Sequence, residues 1–184
     1  MASSINASTT GAGGVITTAD NSGVLNLQSG GVTVATINST GIVMASNTAP
    51  AFSAYQSSSQ TLVAHTYTKI QFQTEEFDTN NNFDSTTNYR FTPTVAGYYQ
   101  VTGGLTPGAV VCGVFVQIYK NGSTYKQIFT MQSTATCNGG FGSALVYLNG
   151  SSDYVELYGY LTTGQVVTAS ASTTYFQAAF VRSA

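Results

Sequence analysis

The sequence predicts an all-β protein. Three observations carry that expectation. No stretch repeats its apolar residues at helical spacing, and the periodicity that can be read alternates every second residue. The alternating stretches are filled by Val, Ile, Thr, Tyr and Phe, side chains that suit a pleated surface. Between them lie Asn-Ser-Gly, Ser-Gly-Gly and Asn-Gly clusters, whose glycines can take the positive φ of tight turns.

Taken in order, residues 1–14 are rich in Ser, Thr and Gly and nearly lack apolar anchors, so a flexible or partner-ordered tail is expected. Short strands are expected over 15–19, 24–28, 32–37 and 42–44. The turns between them are Asn21-Ser22-Gly23, Ser29-Gly30-Gly31 and Asn38-Ser39-Thr40-Gly41. Four such strands bury little by themselves and need another surface, either copies of themselves or a foreign partner. The chain therefore divides into a β arm over 1–45, a linker over 46–50 ending at Pro50, and a main domain over 51–184.

In the main domain, strands are expected from Ala51, then over 68–74, 97–101, 114–119, 124–131, 142–148, 154–160 and 174–181. Over 68–74, Ile70 and Phe72 share one face. Over 114–119, Val114, Val116 and Ile118 alternate with Phe115, Gln117 and Tyr119. Lys120-Asn121-Gly122 is a strong hairpin signal, and 149–153 is a second turn. Eight to ten short strands joined mostly by turns fit a sandwich of two sheets.

Several of these pieces resemble the C1q/tumour-necrosis-factor superfamily. Ala51-Phe52-Ser53-Ala54 is similar to its first strand. Phe77-Asp78, a polar loop, and then Phe91, Thr92, Val95, Gly97 and Tyr99 fill its F-T-x-x-V-x-G-x-Y run. The segment 148–155 resembles its penultimate hairpin, although Ser151 and Ser152 separate the glycine from Asp153. The segment 174–181 resembles its closing strand, with Ala178 at the usual glycine. The resemblance implies a two-sheet jelly roll that forms homotrimers through aromatic residues and catalyses nothing. Its trimer-interface candidates here are Tyr98, Tyr99, Phe115, Tyr119, Tyr158 and Phe180.

Composition agrees with a protein that lives packed against others. Charged residues are 7% of 184, aromatic residues 12%, and the net charge is −2. Few like charges keep copies apart, and so many aromatic rings would leave a lone chain with a large apolar surface. The five cations are scattered, so no nucleic-acid partner is expected. No apolar run is long enough for a membrane span. The N-terminal residues MASSINASTTGAGG read as no secretory leader, so synthesis in a host cytoplasm is expected, with lysis of the host as one route out.

Signals for chemistry are weak. His65 is the single histidine and has no nucleophile motif beside it. Cys112 and Cys137 lack ligand-pair spacing, and in a reducing cytosol two buried thiols are expected rather than a disulfide. Glu75, Glu76, Asp78 and Asp84 form the one acidic cluster. A calcium site and a glycosidase pair are both readings of it, and a solvated loop is the expected one. No catalytic, metal or cofactor residues are assigned, and the chain is expected not to be an enzyme.

The phrase VITTADNSGVLNLQSGGVTVATINSTG resembles the β-repeat stems of bacteriophage fibre and head-surface proteins. Together with the jelly roll it implies a virion surface protein. The first expectation is a trimeric capsid decoration, or cement, protein. Its arms would bury Val15, Leu25, Leu27, Val34, Ile37 and Ile42 on the major capsid protein. The alternative is the receptor-binding tip of a tail fibre, meeting a host surface glycan or protein through loops 80–88 and 132–138.

Overall fold

The computed structural model describes residues 3–7, 15–18, 21–44, 49–109 and 111–184, with the side chains of 3–7, 15–18, 43–44, 111–112 and 133–135 left aside. Among them every regular element is a strand. The chain divides into two compact units, Met1–Thr48 and Ala49–Ala184. That division falls within the expected linker.

The first unit is one five-stranded sheet. Its strands are β1 (Ser3–Ala7), β2 (Val15–Thr18), β3 (Leu25–Ser29), β4 (Val32–Asn38) and β5 (Gly41–Met44). Their order is β2-β1-β3-β4-β5, with β1 parallel to β3 and every other pair antiparallel. The strand Ser3–Ala7 corrects the expected tail. Its sequence SSINA has only Ile5 and Ala7 as apolar residues, too few to mark a strand, so its strand state comes from pairing on both sides rather than from its own pattern. Gly30 and Gly31, at φ 57° and 80°, close the β3–β4 hairpin with the two positive dihedrals that its right-handed twist prefers.

Register makes this sheet two-faced. Leu25 pairs with Ile37, Ile37 with Ile42, and Leu27 with Ala35, so these five lie on one face. Asn26 and Thr36 pair on the other, where the Thr36 hydroxyl donates to Asn26 Oδ1 at 2.8 Å.

The second unit runs β6 (Ala51–Gln56), β7 (Gln60–Leu62), β8 (Thr68–Lys69), β9 (Thr74–Asp78), β10 (Phe83–Asp84), β11 (Arg90–Phe91) and β12 (Ala96–Leu105). It continues with β13 (Val111–Lys120), β14 (Ser123–Thr136), β15 (Gly140–Asn149), β16 (Val155–Leu161), β17 (Gln165–Val167) and β18 (Ser170–Arg182). One sheet has the order β10-β11-β16-β13-β14, with β8 also on β16. The other has the order β15-β12-β18-β6-β9, and β17 pairs with β7.

The inner faces of the two sheets form the core. Phe52, Tyr99, Val101, Val146, Leu148 and Phe176 come from the second sheet, and Phe91, Val114, Val116, Ile118, Val155 and Leu157 from the first. Phe52 is its hub. Its ring centroid lies 4.5 Å from Phe83, 4.6 Å from Phe91 and 5.2 Å from Phe176, so one fully buried ring joins both sheets. Tyr99 is buried beside it, edge-on to Phe91 at 5.6 Å and to Phe180 at 5.4 Å, with its hydroxyl donating to the Val95 carbonyl at 2.6 Å.

Two turns follow their sequence signals. Asn121 and Gly122 take φ 52° and 75° between β13 and β14. In the 149–153 turn, Asn149 Oδ1 accepts from the amides of Ser151, Ser152 and Asp153 at 3.0, 3.0 and 2.9 Å. Lys120 ties the two turns together through Asp153 at 2.8 Å.

The segment expected as one strand over 68–74 is instead a crossing. Thr68 and Lys69 pair with β16 in the first sheet, while Thr74–Asp78 pairs with β6 in the second. Ile70 and Phe72 alternate inward as expected and both are fully buried, because the crossing runs over the edge of the core. A further difference is β14, which continues to Thr136 where a polar loop is expected from residue 132.

Candidate functional site

The outward face of the β15-β12-β18-β6-β9 sheet carries most of the exposed large apolar side chains of the second unit. Across it the register places Tyr98 opposite Tyr147, Gln100 opposite Leu145, Thr102 opposite Ser143 and Gly104 opposite Phe141. On the other side, Gln100, Thr102 and Gly104 face Ala179, Gln177 and Tyr175. Beyond these lie Ala51, Ser53 and Tyr55, and Phe77 stands opposite Ser53.

Phe77 is 51% exposed, Leu145 50% and Val181 54%, with Tyr98, Phe141 and Tyr147 slightly less. Gly104 has a specific use here. A Cβ at that position would collide with the Phe141 ring, and without one Phe141 and Tyr175 approach across it to 6.1 Å in a stacked pair. Uncharged side chains floor the centre. Ala51, Gln100, Thr102, Gln177 and Ala179, with Phe77 as one wall, line a trough of about 250 Å³.

This face is nearly free of charge. Strands β6, β12 and β15 contain no charged residue, and β18 contains Arg182 alone, near its C-terminal end. Acids enter at the β9 edge, where Glu76 accepts a 2.6 Å hydrogen bond from Ser53 Oγ. At the opposite margin Lys120 Nζ donates to the Tyr147 carbonyl at 2.8 Å.

The residues expected at a shared interface do not form one surface. Tyr98 lies on the face just described. Tyr99 is completely buried in the chain's own core and cannot meet a second copy. Phe180 is half-buried and packs against that core from the inner side. Alternation along β12, in unbroken register with β15, sends Tyr98 outward and Tyr99 inward, and the extra residue of the bulge opposite them is Val181 of β18.

Phe115, Tyr119 and Tyr158 belong to the other sheet, on its outward face. There Tyr119 and Tyr158 stack at 3.7 Å, Phe115 meets Tyr160 at 5.2 Å, and Tyr67 covers Tyr160 at 4.9 Å. Gln117 donates to the Tyr67 hydroxyl at 2.8 Å, and Lys69 pairs with the buried Glu156 at 2.8 Å. Burial pushes the Tyr158 phenol up, and the Glu156 charge adds to that. These rings are half-buried against one another, so this belt leaves less apolar area open than the opposite sheet does. Sequence alternation would have found Leu145, Phe141 and Tyr147 as one stripe, but nothing in it ranks that stripe above the β13 stripe.

In the first unit, Leu25, Leu27, Ile37 and Ile42 share a face, and Ile42 is 69% exposed. Val34 departs from them. It has no register partner, being the extra residue where pairing steps from Leu27↔Ala35 to Gln28↔Thr33. Val15 lies in β2, and its side chain falls outside the described residues.

The acidic segment is a hydrogen-bonded frame. Asp78 accepts from the Phe83 amide at 2.6 Å and the Asn80 amide at 3.2 Å. Asp84 accepts from the amides of Thr86, Thr87 and Asn88 at 3.0, 2.9 and 3.1 Å and from Asn88 Nδ2 at 2.7 Å. The Thr87 and Thr86 amides hold its carboxyl well below the usual carboxylate range. Asn82 Oδ1 accepts from the Thr94 amide at 3.1 Å. The frame encloses an open polar recess of about 540 Å³ that Glu75, Ser85, Arg90 and Thr92 also line.

Among the described residues no group of three His, Cys, Asp or Glu side chains is placed to hold a metal ion. His65 is exposed and its Nδ1 lies 3.0 Å from the Tyr160 hydroxyl. Cys137 is buried, while the side chain of Cys112, and with it the question of a disulfide, lies outside the described residues.

No family model matches the sequence, and no curated protein matches it. Solved structures do. The crystal structure of murine APRIL at pH 5.0 aligns with a TM-score of 0.52 at 12% identity, covering 72% of this chain and 99% of that one. Eiger TNF from S. frugiperda aligns with a TM-score of 0.51 at 11% identity, covering 74% and 93%. The chain has a TNF-like jelly-roll fold. The covered share is close to the fraction of the chain that the second unit makes up. The expected fold class, all-β with a C1q/TNF-like two-sheet jelly roll, is the one observed.

Proposed function

We propose that this protein is a homotrimeric, non-enzymatic structural protein of a bacteriophage virion surface, a capsid decoration protein. The observation that carries the trimer is the uncharged outward face of the β15-β12-β18-β6-β9 sheet, with Phe77, Tyr98, Phe141, Leu145, Tyr147 and Val181 exposed on it. A soluble chain seldom leaves so many large apolar side chains on one uncharged face to water. Tyrosine and phenylalanine rings around an uncharged floor give a surface that packs closely against a copy of itself. The interface therefore lies on this sheet and not on the β13–β16 belt.

The first unit supports the attachment. It is a single sheet with an apolar face, Leu25, Leu27, Ala35, Ile37 and Ile42, and it ends in strands β2 and β5. A one-layer sheet gains most of its stability from what covers it. In this reading three such sheets, one per chain, lie on the major capsid protein. Three linked weak contacts give a clamp far stronger than any one of them.

Mixing the full chain with capsids that lack it, followed by sedimentation, tests the proposal. Co-sedimentation at a saturable ratio in multiples of three supports it. Absence from the capsid pellet together with binding to host cells overturns it in favour of a receptor-binding fibre tip.

A further inference from the structure

The polar recess beside Asp84 has its structural hydrogen bonds satisfied and its binding groups unspent. Asp84 and Asn82 are fully engaged in fixing the loop, as the distances above show. Asn81 and Tyr89, at φ 53° and 49°, hold the left-handed turns of that loop. Four half-buried polar side chains in the same recess are different. Glu75, Ser85 and Thr92 make no side-chain hydrogen bond or ion pair among the described residues. Arg90 makes none either, and its guanidinium lies 4.3 Å from the centre of the Tyr154 ring, which orients it while leaving its N–H donors available.

From this arrangement we infer that the recess is a binding site for a neutral saccharide of one or two rings. The chemistry selects that class. A carboxylate accepts two hydroxyl protons, a guanidinium donates to ring and hydroxyl oxygens, and two side-chain hydroxyls do either. The recess has no broad apolar wall for a hydrocarbon ligand. Two carboxylates, Glu75 and Asp84, against one guanidinium disfavour an anion. About 540 Å³ lies within the range of small-molecule sites. The frame built on Asp84 and Asn82 means the donors and acceptors are placed before the ligand arrives, which lowers the entropic cost of binding. This inference does not depend on whether the chain sits on a capsid.

Saturation-transfer NMR on the full chain tests it, with maltose, lactose and methyl α-mannoside as neutral probes and glucuronate as the anionic one. The expected result is transfer to at least one neutral probe and none to glucuronate. Glu75→Gln and Arg90→Lys should each weaken that binding about tenfold, as the loss of a charge-assisted hydrogen bond does. Lys126→Gln, whose side chain lies outside the recess, should leave it unchanged. Circular dichroism checks that each variant is folded. Transfer to no neutral probe, transfer to glucuronate alone, or binding unchanged in both recess variants overturns the inference.

Discussion

Replacing Leu145 by aspartate puts a carboxylate on the edge strand β15 of the uncharged sheet face. Leu145 is 50% exposed in the single chain, so about half of its side chain remains to be covered. Complete burial of a leucine is worth about 1.5–3 kcal/mol, so the uncovered half is worth about 1 kcal/mol per chain. A trimer loses this three times, about 3 kcal/mol, or about two orders of magnitude in its dissociation constant. The carboxylates add to that, because each costs several kcal/mol to desolvate without a partner. Strands β6, β12 and β15 offer no cation to pair with them. The half of Leu145 already covered in the single chain is lost too, so the folded monomer should lose about 1 kcal/mol, which leaves a domain of this size folded. Light scattering after size-exclusion chromatography should therefore find Leu145→Asp as a folded single chain at micromolar concentration. Val63→Asp changes a residue that is 67% exposed but lies outside that sheet, and it should leave the mass unchanged. A trimeric Leu145→Asp would refute the reasoning, as would dissociation by Val63→Asp to the same extent.

Three further outcomes follow from the interior and the loop. Phe52→Ala removes the ring that joins both sheets and should cost about 3–5 kcal/mol in urea unfolding, with loss below about 2 kcal/mol contradicting its place as hub. Asp84 has its carboxyl held low, so its stabilising effect is full above the unfolded value of about 4 and drains away as pH falls below it. Asp84→Ala should lower stability at neutral pH by about 1 kcal/mol and flatten the acid limb, and an unchanged limb would count against this. Burial pushes the Tyr99 phenol up to about 12, so the folded chain keeps that proton longer than the unfolded one. Stability should be full below about pH 10 and fall between about pH 10 and 12, and Tyr99→Phe should remove part of that slope.

Much of the fold was legible because two sheets and tight turns leave local marks. Alternation placed Val114, Val116 and Ile118 inward, and Asn121-Gly122 marked a hairpin that is present. The candidate face was less legible for a physical reason. Period-two alternation says which residues share one side of a strand, but not which sheet the strand joins. Phe115 and Tyr147 look alike in sequence, yet β13 and β15 lie in opposite sheets, and other rings partly cover the first.

Tyr98 and Tyr99 are adjacent and point to opposite faces, and which face is buried depends on the side of the sheet that packs on its partner sheet. The crossing from β8 to β9 was hidden because Ile70 and Phe72 alternate inward whether or not their backbone pairs. The frame around Asp84 rests on amide donors, which every residue type but proline supplies, so composition showed an acidic loop and nothing of its geometry. Strand Ser3–Ala7 was invisible for the same reason, since its pairing is a matter of backbone alone.

Sedimentation equilibrium of the unmodified chain at micromolar concentration puts the account to its plainest trial. The account predicts one species of about three times 19.2 kDa. A stable species of 19.2 kDa that stays soluble at that concentration would contradict it, because the Phe77–Leu145 face would then be open to water with nothing covering it.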